Sequence, residues 1–248
     1  SADHAAVKLS QWGQVAHVGF FPFSIKEYVP LPAGCAVIVC NSRIQARKAE
    51  GARDAFNERV ASYEFAVHWV RRRFPNYAPL IEHLRDISPS VLGIRAADVY
   101  RILLDVPEAI DAKQLHDELG EELWERLTRT HNPLGKYALR SRLLFGIAEC
   151  ERSRRCVRLL REGDLRAFGH LMSLSHDGDR VIRGDGSPYL ATASDQELRN
   201  RIDDLRSEDP DRVLNAQLFM QPGSYACSIP AIDRMVDIAL ETPGVYGA

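Results

Sequence analysis

The chain has 248 residues, 45% of them hydrophobic, and a formal net charge of -2. That length and composition allow a sizeable core, as one large domain or two small ones. The near-neutral charge excludes a strong field toward nucleic acid or an acidic membrane surface, and no apolar run approaches the ~20 residues of a membrane span.

From the N-terminus, residues 3–11 read as a short helix starting at or near Asp3. Three strand-like segments follow. Val15–Phe21 is apolar and β-branched, Ser24–Val29 alternates around Lys26 and Glu27, and Ala36–Cys40 is a short apolar run of the buried-strand type. Pro22, Pro30, Pro32 and Gly34 punctuate them. From about residue 45 the pattern turns helical. Gln45–Phe74 carries an apolar stripe of Val60, Phe65, Ala66 and Trp69, and Pro75 and Pro79 end it. Ser88 and Pro89 are the cap and first residue of a short helix. Residues 96–104, 111–129 and 135–162 read as further helices. Gly163 stops the last of these, and Asp164 starts a short one over Leu165–Leu174. Residues 178–224 are polar and glycine-containing, with one amphipathic helix near 194–206. A last helix, Ile229–Leu240, is entered through Pro230. Strands first and helices after predict an α+β fold.

Cys35, Cys40, Cys150, Cys156 and Cys227 form no CxxC pair and no cluster with histidine. They read as free thiols of a reducing cytosol, which points to a cytoplasmic protein. His176, Asp177 and Asp179 lack a further ligand group, so no metal site is expected there.

Five segments, in order, resemble the galactokinase branch of the GHMP small-molecule kinases. Asp3-His4-Ala5-Ala6 with Gly13-Gln14-Val15-Ala16-His17-Val18 is similar to the family's "G-x-x-D-Q/H" helix start and the strand after it. Leu31-Pro32 through Val37-Ile38-Val39-Cys40-Asn41-Ser42 resembles an "LP…VIxNS" strand. Phe56-Asn57-Glu58-Arg59 resembles "Y-N-x-R". Gly163-Asp164 through Phe168-Gly169-His170-Leu171-Met172, then Ser175-His176, resembles "G-D…F-G-x-L-M…S-H". Ser228-Ile229-Pro230-Ala231-Ile232-Asp233, then Pro243-Gly244-Val245-Tyr246-Gly247-Ala248, resembles "C-P-E-L-D…P-G-V-Y-G-S/A". The family's N-terminal "G-R-V-N-L-I-G-E-H-x-D-Y", its phosphate loop "P-x-G-x-G-L-S-S-S-A" and its last glycine-rich segment are not in the chain, and the stretch 181–224 is longer than usual.

The resemblance implies part of a two-lobed fold. Residues 1–45 would be a remnant of the N-terminal lobe, and residues 46–248 a helical C-terminal lobe with a polar insertion around 181–224. It implies an enzyme using ATP and Mg²⁺ to phosphorylate a sugar hydroxyl, at C1, with no nucleic-acid or membrane partner. Both ends read as motifs cut in mid-phrase, so an internal fragment, inactive by itself, is the expectation. Asp3 would be the catalytic carboxylate, and it also suits a helix cap. Phe56 stands where the family places a tyrosine that touches the sugar. Either it lines the pocket, favouring an altered hexose such as an N-acetylated one, or it faces the core. Ser175 and His176 would belong to a pocket wall, or simply to a polar helix end. The rival expectation is a galactokinase-like sensor or scaffold that binds sugar without catalysis.

Overall fold

The computed structural model describes the backbone of residues 2–45, 50–133, 135–189 and 193–248. Side chains are described over 4–45, 53–133, 135–189 and 193–248. Among these residues the fold is α+β, mostly helical, with two small antiparallel sheets.

Helix α1 (Ala2–Leu9) leads into a hairpin of β1 (Gln14–Gly19) and β2 (Ser24–Pro30). The Tyr28 hydroxyl donates to the Leu9 carbonyl at 2.8 Å and ties the helix to the hairpin. Val15 pairs with Val29, and a bulge after His17 shifts the register so that Val18 faces Ile25. The alternation turns Val15 and Val29 toward Val157 and Leu160 of helix α7 (Leu139–Glu162). At the hairpin tip, Arg85 donates to the carbonyls of Phe20 and Phe21.

The main core gathers around α2 (Glu50–Arg73), α4 (Ala96–Asp105) and α7 (Leu139–Glu162). The inward stripe of α2 is Ala61, Phe65, Ala66, Trp69 and Val70, recurring at three- and four-residue steps. Val60, expected in that stripe, is instead 43% exposed. Of the expected span Gln45–Phe74, residues 46–49 lie outside the described residues. Helix α3 (Pro89–Leu92) starts as expected, the Ser88 hydroxyl accepting from the Val91 amide at 3.4 Å.

The single helix expected over 111–129 is two. Strand β3 (Ile110–Asp111), paired with β4 (Lys136–Tyr137), precedes α5 (Ala112–Leu119), and α6 (Glu121–Thr128) follows. Gly120, at φ +86°, caps the first and opens the second, a conformation that costs other residues more. The helical period of the sequence runs across this break, which is why pattern alone missed it. Helix α8 (Leu165–Asp179) extends five residues beyond the expected Leu174, so Ser175 and His176 lie inside its last turns. Gly163 at φ +73° and the Asp164 carboxylate, accepting from the Ala167 amide at 3.0 Å, make the α7–α8 junction as the sequence foretold.

The polar stretch after residue 178 carries α9 (Asp195–Asp204) and also α10 (Pro210–Asn215), and α11 (Pro230–Glu241) closes the fold. Leu198, Ile202 and Leu218 from this stretch enter the main core. Arg140 of α7 is 4% exposed and donates to the carbonyls of Leu104, Val106 and Ala193 and to Glu108 and Asp195. A guanidinium with that many acceptors is satisfied in the interior and joins α4, α7 and α9.

One strand expectation fails. Ala36–Cys40 forms no ladder, and Val37, Ile38 and Val39 are 77%, 78% and 91% exposed. A strand of consecutive apolar residues needs neighbours on both edges and cover on both faces. The adjacent hairpin has only two strands.

Candidate functional site

The C-terminal half of α8, the first half of α2 and α11 meet at a strap formed by residues 222–228. Gly178 sets how closely the strap approaches. A β-carbon there would lie 2.4 Å from both Phe145 Cδ2 and the Pro222 carbonyl oxygen. The Gly178 carbonyl accepts from the amides of Tyr225 at 2.7 Å and Ala226 at 3.1 Å. From the other side Arg59 of α2 donates to the Tyr225 carbonyl at 2.8 Å and the Ala226 carbonyl at 2.6 Å. The Tyr225 ring is stacked between Tyr63 and Phe145, with centroids 5.6 and 5.4 Å away.

His176 and Asp233 meet beside this strap. His176 Nε2 lies 3.1 Å from Asp233 Oδ1, with the two side chains 13% and 0% exposed. The contact is a close approach of charge and ring nitrogen, and neither atom makes a hydrogen bond to a described residue. Asp233 Oδ2 accepts from the amides of Val181 and Ile182, both at 2.9 Å. Next to it, Arg180 donates to Asp237 at 2.7 Å and lies 3.4 Å from Asp177.

Two carboxylates near His176 are pushed in opposite directions. Burial pushes Asp233 up. Hydrogen bonds from Ser228, Val181 and Ile182 and the nearby imidazole outweigh it, so the group sits below the usual carboxylate range. Asp179 goes the other way. Burial raises it, the Cys227 amide opposes, and Glu149 adds to the rise. Carboxyl groups driven apart around one imidazole are a feature of proton-handling and hydroxyl-binding sites, and also of structural networks.

Of the residues expected on the sugar side, His176 lies against a buried carboxylate, that of Asp233. Ser175 is half-buried in α8. Phe56 lies just under one turn before Arg59 on α2 and is 50% exposed, so it does not face the core. Asp3 lies in the backbone of α1, and its side chain lies outside the described residues. Tyr225 is not marked by any sequence pattern, Arg59 and Asp233 are marked only as members of resembling segments, and Asp179 only as part of a group too small for a metal. Asp233 in particular sits in the first turn of a helix entered through proline, where an acid reads as a complement to the helix dipole.

Neither a family model nor a curated protein matches the chain.

Proposed function

We propose that this chain is the acceptor-side wall and helical body of an ATP-dependent sugar kinase of the galactokinase type, acting on a sugar hydroxyl at C1. What supports the reading is that segments carrying the resemblance hold one another in space through the residues that carry it. His176 of the "S-H" segment meets Asp233 of the "C-P-E-L-D" segment. Gly169 of "F-G-x-L-M" packs against Tyr246 and Gly247 of "P-G-V-Y-G". Arg59 of "Y-N-x-R" grips the strap just before Ser228, where the fifth segment begins. In this reading Asp3 takes or orients the proton of the attacking hydroxyl, and Phe56, Ser175 and His176 belong to the sugar side. Phe56 offers a ring face and no hydrogen bond, which suits a hexose with an apolar substituent such as an N-acetyl group.

Mg²⁺ and ATP do not fit the described residues. No group of three His, Cys, Asp or Glu side chains among them could hold a cation, and the sequence has no glycine-rich phosphate loop. In the proposed enzyme the nucleotide is held by other residues of the parent protein.

The test uses the complete reading frame that encodes the chain, purified and assayed for ATP consumption with hexoses, pentoses and their acetamido and acidic derivatives. Turnover on a sugar, abolished by Asp3→Asn, is expected. Turnover indifferent to Asp3→Asn would remove the catalytic assignment. Sugar binding without any turnover would replace the kinase by the sensor.

A further inference from the structure

Two arginines of α7, about one turn apart, are used differently. Arg152 donates to Glu149 at 2.7 Å and to the carbonyls of Phe219 at 3.1 Å and Gln221 at 2.7 Å. Arg155 makes no hydrogen bond or ion pair with a described residue. Its guanidinium carbon lies over the Phe219 ring, 4.2 Å from the centroid. A stacked guanidinium keeps its N–H donors in its own plane and free for another partner. Burial lowers the pKa of Arg155, Arg158 lowers it further, and Glu162 opposes. Glu162 is itself paired with Arg158 at 3.5 Å. The Arg155 cation has therefore given up water without gaining a counter-charge.

The Phe219 ring is also a wall of an open groove of about 380 Å³ between α7, α10 and the 3-10 turn Leu218–Met220. Pro210, Val213 and Leu214 of α10 supply the other apolar walls, and Arg155 and Gln217 are the polar groups. No carboxylate lines it. Gln217 turns its amide nitrogen to the Val213 carbonyl at 3.2 Å, which leaves Arg155 as the charged contact. The frame of the groove is fixed. Tyr100 donates to the Ala216 carbonyl at 2.8 Å, and Gln221 donates to the carbonyls of Asn215 at 2.8 Å and Gln217 at 3.0 Å. A preformed, mostly apolar groove with one placed charge is the general form of a small-molecule site.

We infer that this groove binds a small amphipathic carboxylate, an alkyl chain with one anionic head. The chain lies along Pro210, Val213 and Leu214, and the head pairs with Arg155. The inference is independent of the sugar-kinase reading. The walls argue against a bare inorganic anion, which would leave their apolar surface uncovered. The unpaired cation argues against a neutral ligand. A second groove, lined by Arg101, Arg199 and Arg206, shows the contrast. Asp203 is among its walls, and its arginines already lie beside Asp98, Asp195 at 3.7 Å and Asp203 at 3.9 Å. Its charges are countered from within the protein, and that of Arg155 is not.

The probe is decanoate, titrated calorimetrically into the protein of the complete reading frame. Decanol serves as the chain without charge, and acetate as the head without chain. Decanoate should bind, and each of the other two should bind at least about tenfold more weakly. Arg155→Gln removes the charge. It should weaken decanoate about tenfold and leave decanol unchanged, and Arg155→Lys should restore part of the loss. Leu214→Glu, at a position 43% exposed, sets a like charge in the groove and should abolish decanoate binding while the variant melts with the parent. A photoreactive diazirine derivative of decanoate should cross-link to the unaltered protein within residues 210–219, a readout that does not depend on any variant folding. Absence of decanoate binding, equal affinity for decanol, or cross-links confined to other segments overturns the inference. So does an affinity unchanged in both Arg155→Gln and Leu214→Glu. Binding to vesicles of anionic phospholipid with none to dissolved decanoate would make the groove a membrane contact and overturn it as well. None of these outcomes bears on sugar turnover, so the kinase reading stands or falls separately.

Discussion

Gly169 of α8 and Gly247 near the C-terminus are in backbone contact. A β-carbon on Gly169 would lie 2.2 Å from the Tyr246 carbonyl oxygen, and one on Gly247 would lie 1.9 Å from the Gly169 carbonyl oxygen. The Ala248 amide donates to the Ser173 hydroxyl at 3.3 Å, and Arg166 lies over the Tyr246 ring at 5.0 Å. Residues 246–248 are thus seated on α8 by a fit that only glycine allows. Backbone cannot yield as a flexible side chain does. Gly169→Ala should therefore destabilise by about 2–3 kcal/mol, on the order of 5–10 °C in Tm. Gly135→Ala, where an added β-carbon meets nothing within 4 Å, should be nearly silent. Thermal melts followed by circular dichroism decide it, and equal melting of the two variants would contradict the contact.

Arg59 carries the strap. Its two bonds to the Tyr225 and Ala226 carbonyls are charge-assisted and partly buried. Arg59→Ala should cost about 2–4 kcal/mol. Arg59→Lys should recover only part of this, since an ammonium cannot place two donors in one plane. Hydrogen exchange gives the local readout. The Tyr225 and Ala226 amides, bonded to Gly178, should lose protection before the α2–α7 core does. Uniform loss across the molecule would make Arg59 a general stabiliser instead.

What the sequence disclosed follows local rules. Ser88 before Pro89, Gly163 before Asp164 and Pro230 at a helix start act within four residues of chain, and each stands where it was expected. What it hid depends on distant partners. Arg140 looks like any exposed arginine until the carbonyls of residues 104, 106 and 193 converge on it. Asp233 looks like a helix-start acid until His176 arrives from 57 positions earlier in the chain. Ala36–Cys40 fails in the opposite direction, because an apolar run states a demand for neighbouring strands and not their presence.

That exposed run makes a direct prediction. Ile38 and Val39 bury little, so Ile38→Thr and Val39→Thr should each leave stability within about 0.5 kcal/mol. Val70→Thr on α2, at 0% exposure, should cost about 1–3 kcal/mol by burying a hydroxyl. Denaturant midpoints compare the three. A large loss for Ile38→Thr would mean that the run is covered in solution.

His131 gives the pH prediction. It is 6% exposed, with Nε2 2.9 Å from the Tyr137 hydroxyl and Nδ1 without a partner among the described residues. Burial lowers its pKa, with Glu58 and Asp54 opposing in part. The unfolded chain titrates near the ordinary value of about 6.5. As pH falls below that, the unfolded state takes up a proton that the folded state resists, so stability declines down to the folded value. His17 and His68 are lowered in the same way, burial again being the largest cause, and add to the decline. Urea midpoints should therefore fall between about pH 7.5 and about pH 5.5, a window above the carboxylate titrations. His131→Gln, which can still reach the Tyr137 hydroxyl but cannot be protonated, should show a shallower decline. An identical slope in the variant would shift the effect to His17 and His68 and leave His131 no part in the acid response.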